Sequence, residues 1–270
     1  MPADYHMHTV LCKHAEGAIE AYVEAARQKS LPEICFTDHA PAPDDYDAGN
    51  RMTVDEFPAY RDAVAGVRDS TGATVLFGIE ADYYEGPGCL EFLRPWLSAQ
   101  PFDLVIGSVH CLRGWGVDDP DKRAIWDSVD VTKTWQEYFA LIGELADTKL
   151  FDVVAHLDLP KKFGYRPRDK AVKEMVQPTL DRIAAAGMGI EINTSGLRRP
   201  VKEIYPSPLI LELAHDREIP ICFGSDSHRP QEVGFAFDQA LRLAKEAGYA
   251  DSLRFRGRRK QIVALPGSNP

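Results

Sequence analysis

The chain has 270 residues, of which 44% are hydrophobic, and this is enough to bury one large core. Its formal net charge of −10 argues against a general nucleic-acid binder, whose surface would be basic. The five cysteines are widely spaced and form no CxxC motif, as expected of reduced thiols in a cytosol. No apolar stretch approaches the roughly 20 residues that span a bilayer. We therefore expect a cytoplasmic protein with no membrane partner.

Short apolar runs alternate with amphipathic stretches along the whole chain, which predicts strands followed by helices. In chain order we expect strands at 3–6, 33–37, 74–81, 103–109, 153–156, 189–193 and 219–224. The helices are expected at 18–28, 54–70, 90–97, 132–146, 169–186, 207–216 and 235–247. Strands that nearly all precede helices indicate parallel β/α units. The predicted fold class is α/β, as a single distorted (β/α)7 barrel of the TIM type.

The even spacing of these elements leaves no change in composition that would mark a domain boundary. We expect one domain over residues 1–265 and a frayed tail at 266–270. The irregular stretches 41–52 and 112–131 are rich in Asp, Gly and Pro, so we expect them to cover a site as loops. The basic run from Arg254 to Lys260 is interpreted as a solvated turn.

Seven of the eight histidines lie at or beside the ends of short apolar runs, most of them predicted strands, together with several carboxylates. In a β/α barrel the catalytic groups come from the carboxyl ends of the strands, so these side chains should meet at one mouth. A single histidine there is more often a hydrogen-bonded structural residue, but a whole set indicates a multinuclear metallohydrolase. The set comprises His6, His8, His14, Asp38, His39, Glu80, His110, His156, Glu191, Asp226 and His228.

Two features of this set point to metal binding in particular. His6 and His8 are two residues apart on an extended segment, so both can face one ion. Glu80 directly follows an apolar run, where a buried carboxylate is costly unless a cation compensates it. Glu80 is therefore a candidate bridging ligand. Zinc, ferrous iron or manganese would each accept this mixture of nitrogen and oxygen ligands. The eighth histidine, His215, lies on a predicted helix and is left out.

The ordered motifs HxH, TDH, a strand-end glutamate, SVH, AHLD and GSDSH resemble those of the polymerase and histidinol phosphatase (PHP) superfamily. The resemblance runs from about Tyr5 to Gly234. It is greatest to the histidinol-phosphatase branch, on the segments HMHTVLCKHAEG, FTDHAP, HLDLPKKFG and EINTSGLRRPVKEIYPSP. The resemblance implies a distorted seven-stranded β/α barrel that holds three divalent metal ions.

The resemblance also implies which residues hold each ion. The first ion is expected on His6, His8, Glu80 and Asp226. The second is expected on Glu80, His110 and His156, and the third on His14, His39 and His228. Every expected ligand position carries a competent residue, which argues against a non-catalytic barrel. Asp38, Asp158 and Glu191 are not needed as ligands and could orient the histidines as hydrogen-bond acceptors.

The activity that the resemblance implies is hydrolysis of L-histidinol phosphate to L-histidinol and phosphate, in histidine biosynthesis, by attack of a metal-bound hydroxide. Asp38 or Asp158 could supply a proton to the leaving alkoxide. Arg198 and Lys161 are the candidate phosphate-binding residues, whereas Arg199 and Lys162 could equally be solvated neighbours. The cationic end of the substrate could be held by acidic and aromatic loop residues, namely Asp44, Asp45, Tyr46, Trp115, Asp118 and Asp119.

Two other functions remain open from the sequence. One is another phosphoesterase of the same superfamily, acting on phosphotyrosine, nucleotides or a broad range of phosphomonoesters. A nuclease is disfavoured, since it should carry a basic groove. The other is a metal-stabilised binding module without turnover, whose expected sign would be lost ligands. The expected partner is a small-molecule phosphomonoester, and no oligomeric state is predicted.

Overall fold

The computed structural model describes residues 1–43, 46–71 and 74–267. Its helices are α1 Ile19–Gln28, α2 Phe57–Thr71, α3 Pro87–Ser98, α4 Val131–Asp147, α5 Asp169–Ala185, α6 Pro208–His215 and α7 Phe237–Glu246. Its strands are β1 Ile34–Phe36, β2 Val75–Asp82, β3 Leu104–Ser108, β4 Cys111–Leu112, β5 Trp115–Gly116, β6 Val153–Val154, β7 Gly189–Asn193, β8 Ile221–Gly224, β9 Asp251–Arg256 and β10 Arg259–Ala264.

Six of the strands form one curled parallel sheet in the order β1-β2-β3-β6-β7-β8. The N-terminal segment lies between its two edges, where Asp4 pairs with Ile34 and Met7 pairs with Ser227. Within that segment the Tyr5 amide donates to the Phe223 carbonyl at 2.9 Å. The predicted α/β barrel of the TIM type is therefore confirmed. The first of its seven strand positions is held by isolated bridges instead of a regular strand.

The interior of the barrel is apolar at its amino end and polar at its carboxyl end. Alternate residues of a strand face the same side, so Leu76 and Glu80 of β2 share the interior face. Leu76 packs in one cluster with Leu104, Val153 and Cys222, which come from other strands of the sheet. Glu80 lies four residues further along β2, where the strands end. The strand period thus carries a buried carboxylate to the mouth of the barrel.

The C-terminal hairpin of β9 and β10 closes the amino end of the barrel. Its Phe255 ring meets the Tyr5 ring edge-on, with 5.1 Å between centroids. Arg256 pairs with the buried Glu33, which directly precedes β1, and Arg258 pairs with Asp152, which directly precedes β6. The interpretation of this basic run as a solvated turn was therefore wrong for Arg254, Arg256 and Arg258, which pair with acidic residues at the bases of the strands. Arg259 and Lys260 are exposed, as expected.

The two predicted loops differ in structure. Residues 112–131 are more ordered than expected, because β4 and β5 form a small hairpin that is followed by a 3₁₀ helix, Pro120–Asp127. Within 41–52, the described residues contain no regular helix or strand, and Asp44 and Asp45 lie outside the described residues. In the part of the chain that is described, no helix is both long enough and apolar enough to cross a membrane.

The pairing of Arg258 with Asp152 predicts a stabilising role for the hairpin. Arg258 Nε donates to Asp152 Oδ2 at 2.9 Å, and its Nη2 donates to the Leu150 carbonyl at 2.6 Å. We expect Arg258→Ala to lower the free energy of unfolding by about 1 to 2 kcal/mol, measured by urea denaturation. Arg242→Ala is the control, since its ion pair with Asp238 is exposed on α7. Equal effects of the two changes would contradict the assignment.

Candidate metal centre

One oxygen of Glu80 is shared by three imidazoles at the mouth of the barrel. Glu80 Oε2 lies 3.1 Å from His6 Nε2, 3.5 Å from His8 Nε2 and 3.2 Å from His39 Nδ1. Asp226 Oδ1 approaches the same group from β8, at 3.4 Å from His8 Nε2 and 4.0 Å from His6 Nε2. His6, His8, Glu80 and Asp226 thus converge as the sequence predicted for a first ion.

The other oxygen of Glu80 faces two different imidazoles. Glu80 Oε1 lies 3.1 Å from His156 Nε2 and 3.7 Å from His110 Nε2. The carboxylate is itself only 1% exposed. Because one of its oxygens faces three histidines and the other faces two different ones, Glu80 has the geometry of a bridging ligand between two ions.

The remaining histidines gather around His228. Its ring stacks on the rings of His14 and His8, with 4.5 Å and 4.2 Å between centroids. The ligand atoms of His228 and His39 lie within 4.8 Å of each other in a group with His8, and those of His228 and His14 do so in a group with Cys12. Burial raises the pKa of Cys12 to about 12, which favours the neutral thiol. The structure brings together the three histidines predicted for a third ion, with Cys12 beside them.

The donor set fits divalent ions on a second ground, which is the number of buried ring nitrogens that make no hydrogen bond of good geometry within the described residues. Nδ1 of His156 and Nε2 of His228 are buried without a hydrogen-bond partner, and both ring nitrogens of His8 and Nδ1 of His39 have only carboxylate oxygens beside them, at 3.2 to 3.5 Å. Unpaired buried polar atoms are uncommon, because each costs about 1 to 3 kcal/mol. Coordination to metal would satisfy several of these atoms at once.

The charge states of the cluster differ from ligand to ligand. Burial alone would raise the pKa of Glu80, but His6 outweighs it and holds that pKa well below the usual range. Burial lowers the pKa of His39 and of His228 well below that of a free imidazole, and in His228 the neighbouring His8 adds to the effect. The carboxylates beside His8 and His110 outweigh burial and raise the pKa of these imidazoles to about 9 and about 10. At neutral pH Glu80, His39 and His228 therefore have the protonation state that binds metal, whereas His8 and His110 would release a proton on binding.

Three carboxylates contact imidazole nitrogens that do not face Glu80, and thereby orient the rings. Glu191 Oε1 lies 2.7 Å from His6 Nδ1, Asp38 Oδ1 lies 3.5 Å from His8 Nδ1, and Asp82 Oδ1 lies 2.9 Å from His110 Nδ1. Glu191 and Asp38 were expected in this role from the sequence, whereas Asp82 was missed. The signal for Asp82 was present, since it lies two residues after Glu80 and therefore on the same face of β2.

Asp158 and Asp38, the candidate proton donors, are both buried and engaged. Asp158 Oδ2 accepts from the Ser207 amide at 2.9 Å and lies 3.0 Å from Lys161 Nζ. Asp38 Oδ2 accepts from the Thr9 amide at 3.1 Å, and its Oδ1 accepts from the His39 amide at 2.9 Å. The contacts of Asp158 are with residues behind the metal centre, and none of those described is with a histidine.

A cavity of about 360 Å³ opens beside the histidines. Its described wall includes two cationic side chains, Lys162 and Arg199. Arg198 and Lys161, the residues chosen from the sequence, are absent from the described wall. The described wall of the cavity also includes Asp47, Asn50, Asp118, Asp119, Ser195 and Tyr205, beside His14, His39, Glu80, His110, His156, Asp226 and His228.

Arg198 and Lys161 instead hold the backbone behind the cavity. Arg198 Nη2 donates to the carbonyls of Ser225 and Asp226, at 2.8 Å and 2.9 Å. Lys161 is fully buried, and its ammonium donates to the Ile204 carbonyl at 2.7 Å and also pairs with Glu203. In each case the cation that faces the cavity, Arg199 or Lys162, is the next residue in the chain. Sequence position alone could not show which of the two neighbours would face the cavity.

The residues expected to hold a cationic substrate group are divided by the structure. Asp118 and Asp119 line the cavity. Tyr46 faces away from it, donating to Asp82 at 3.1 Å, and Trp115 packs edge-on against Trp126. The other two, Asp44 and Asp45, lie outside the described residues.

Three residues of the site have an unusual backbone conformation or allow an unusually close approach. Asp226 has φ of +50° and His156 has φ of +22°, in a region that non-glycine residues rarely adopt. Gly224 is required for a different reason, since a Cβ there would lie 1.8 Å from Glu191 Oε1 and 2.6 Å from His6 Cβ. The missing side chain of Gly224 leaves room for the contact between Glu191 and His6.

A β/α barrel with clustered imidazoles and carboxylates at the carboxyl ends of its strands, beside an open cavity, defines the class of metal-dependent hydrolases. Residues 4–195 match the family model of the PHP domain, and residues 208–240 match a model described as PHP-associated. The chain belongs to the PHP domain family.

Named relatives match over almost the full chain. A probable histidinol-phosphatase of Deinococcus radiodurans is 39% identical, covering 96% of this chain and 98% of that protein. The histidinol-phosphatase of Bacillus subtilis is 27% identical, covering 88% and 97%. The crystal structure of histidinol phosphate phosphatase from Lactococcus lactis, complexed with zinc, L-histidinol and phosphate, has the same fold, with a TM-score of 0.78 at 21% identity, covering 96% of this chain and 98% of that one.

The close approach at Gly224 generates a prediction. Gly224→Ala should displace Glu191 from His6 and lower the free energy of unfolding by about 1 to 3 kcal/mol, since overpacking in a dense interior costs this much. Metal bound per chain, measured by elemental analysis after gel filtration, should fall as well. Gly66→Ala is the matched control, because Gly66 lies on α2 with nothing within 4 Å of the added Cβ. Full metal content in Gly224→Ala would show that the contact between Glu191 and His6 is dispensable.

Proposed function

We propose that this chain is a metal-dependent phosphomonoesterase that hydrolyses L-histidinol phosphate to L-histidinol and phosphate in histidine biosynthesis. The observation that carries the proposal is the convergence of nine candidate ligands, Glu80 among them, beside a cavity with both basic and acidic side chains. The names of the relatives support the choice of substrate. We treat residues 1–265 as one domain, acting on a small molecule in the cytoplasm, where five free cysteines would stay reduced.

The metal centre is proposed to hold three divalent ions. His6, His8, Glu80 and Asp226 would bind the first, Glu80, His110 and His156 the second, and His14, His39 and His228 the third. Such ions, when bound, activate water and neutralise charge on a phosphoryl group. Zinc, ferrous iron and manganese all suit these ligands, and zinc is the ion in the Lactococcus lactis structure.

The side chains of the cavity wall are proposed to divide the substrate between them. Arg199 and Lys162 would contact the phosphate, since a guanidinium can bind two phosphate oxygens together. Asp118 and Asp119 would face the cationic alcohol part of the substrate. Lys162 Nζ lies 2.9 Å from Asp118 Oδ2, so this ion pair lies where the two regions meet.

The proposed roles of Asp38 and Asp158 follow from their contacts. Asp38 would hold His8 and the turn at Thr9 in place. Asp158 would anchor Lys161 and, through the Ser207 amide, the chain around Tyr205. Since each is buried and engaged, their assignment as proton donors stays a prediction, and the geometry favours these structural roles.

The proposal is tested by phosphate release from purified protein of known metal content. Histidinol phosphate should be hydrolysed with a kcat/KM at least about tenfold above that for nucleotides, a phosphotyrosine peptide or p-nitrophenyl phosphate. Chelation should abolish this activity and readdition of metal should restore it. Equal activity on all phosphomonoesters would favour a broad phosphatase, and activity confined to phosphodiesters would overturn the proposal.

Arg198 and Arg199 give a sharper test, because neighbouring residues are expected to behave differently. Arg199→Ala should keep its metal and raise KM for the phosphomonoester by about 10- to 100-fold, as expected for loss of a charged contact of 1.5 to 3 kcal/mol. Arg198→Ala should lose metal, since its guanidinium holds the carbonyls beside Asp226. The opposite pattern would restore Arg198 as the phosphate-binding residue.

A further inference from the structure

Asp82 is a buried carboxylate with four hydrogen-bond partners. Its Oδ1 lies 2.9 Å from His110 Nδ1 and accepts from Ser108 Oγ at 3.0 Å. Its Oδ2 accepts from Arg51 Nη2 at 2.8 Å and from the Tyr46 hydroxyl at 3.1 Å. A ligand atom of Asp82 also lies within 4.8 Å of those of His39 and His110, but both oxygens are already engaged by the protein, so Asp82 is placed to orient His110.

The partner of Asp82 on the loop side is an arginine that is only 3% exposed. Besides contacting Asp82, Arg51 Nη1 donates to the Ala40 carbonyl at 2.9 Å, and Nη2 lies 3.3 Å from Asp47 Oδ2. A buried guanidinium without its carboxylate would be strongly destabilising, so the pair holds both members in one position. Arg51 thus connects the loop both to Ala40, in the segment after β1, and to Asp82 at the end of β2.

The segment Tyr46–Arg51 also forms part of the cavity wall, through Asp47 and Asn50. Its Tyr46 ring stacks on Tyr84 with 3.7 Å between centroids, and the Arg51 guanidinium lies 4.8 Å from the centroid of the same Tyr46 ring. These contacts make the segment one packed unit. A continuous chain of hydrogen bonds then runs from the cavity wall, through Arg51 and Asp82, to His110.

We infer that Asp82 and Arg51 are positioning residues that fix His110 for its ion and couple that ion to the placement of the Tyr46–Arg51 wall. Donation from His110 Nδ1 to Asp82 leaves Nε2 as the free nitrogen, directed toward Glu80 Oε1 at 3.7 Å. Metal at this position holds the imidazole, and through it the wall segment. The inference rests on the proposed metal sites but not on the identity of the substrate.

The first experiment measures metal affinity by competition with a chromophoric chelator, using zinc as the probe. In Asp82→Ala, one zinc equivalent should bind about 10- to 100-fold more weakly than in wild type, as is typical when the acceptor behind a metal-binding histidine is removed. The remaining equivalents should keep their affinity. Asp82→Asn should have a smaller effect, because its amide oxygen can still accept from His110. Arg61→Met is the control, since Arg61 pairs only with the exposed Asp62 among its described contacts.

The second experiment tests the coupling by amide hydrogen exchange of residues 46–51. In the wild type, zinc should slow amide exchange in this segment. In Arg51→Met that protection should be lost, and one zinc equivalent should bind more weakly. Tyr46→Phe removes only the contacts of the Tyr46 hydroxyl with Asp82 and Cys111, and it serves if Arg51→Met does not fold.

The outcomes separate this inference from the proposed function. A wild type that binds no zinc would refute the proposed metal centre itself. A wild type that binds zinc, with Asp82→Ala binding every equivalent as tightly, would refute the positioning role. Zinc-dependent protection that persists in Arg51→Met and in Tyr46→Phe would refute the coupling to the wall.

Discussion

The Glu80 carboxylate, buried among five imidazoles, is the interaction on which the rest of the site depends. A lone carboxylate at 1% exposure would be neutralised by protonation, since ionised groups are costly to bury. Here the surrounding histidines hold its pKa well below the usual range despite burial. The charge is therefore retained in the interior, and its two oxygens face two separate sets of nitrogens. A change in the register of β2 by one residue would remove this arrangement entirely.

The histidines and carboxylates of the centre could be predicted from sequence because the topology of the barrel determines which residues lie close together. Parallel strands end at one edge, so residues that follow successive strands are brought together whatever lies between them. Glu80 was identifiable by its place after an apolar run, and His6 and His8 by their spacing of two. His14 follows no strand directly, and only the family resemblance assigned it to an ion.

Two kinds of feature could not be predicted from the sequence. One is which of two neighbouring cations faces the cavity, and the other is which distant residue a loop side chain contacts. Lys161 and Lys162 lie in one 3₁₀ turn, where successive side chains point about 120° apart, so one is buried while the other reaches the cavity. Arg198 and Arg199 separate in the same way at the end of the next such turn. Arg51 carries no local signal, because its partner Asp82 is 31 residues away. The C-terminal arginines looked solvated because their acidic partners are even farther away in sequence, Asp152 lying 106 residues from Arg258.

The charge of the protein and the charge of its proposed substrate are reconciled inside the cavity. Three divalent ions, as proposed, would bring about +6 of charge against the two ligand carboxylates Glu80 and Asp226, so the site would be electropositive although the chain as a whole is acidic. An electropositive centre does not need many additional cations for phosphate. This explains why Lys161 and Arg198 can hold backbone carbonyls and why acidic residues can line the outer cavity. The acidic side chains there are then free to select the alcohol, which is the part of a phosphomonoester that metal ions do not distinguish.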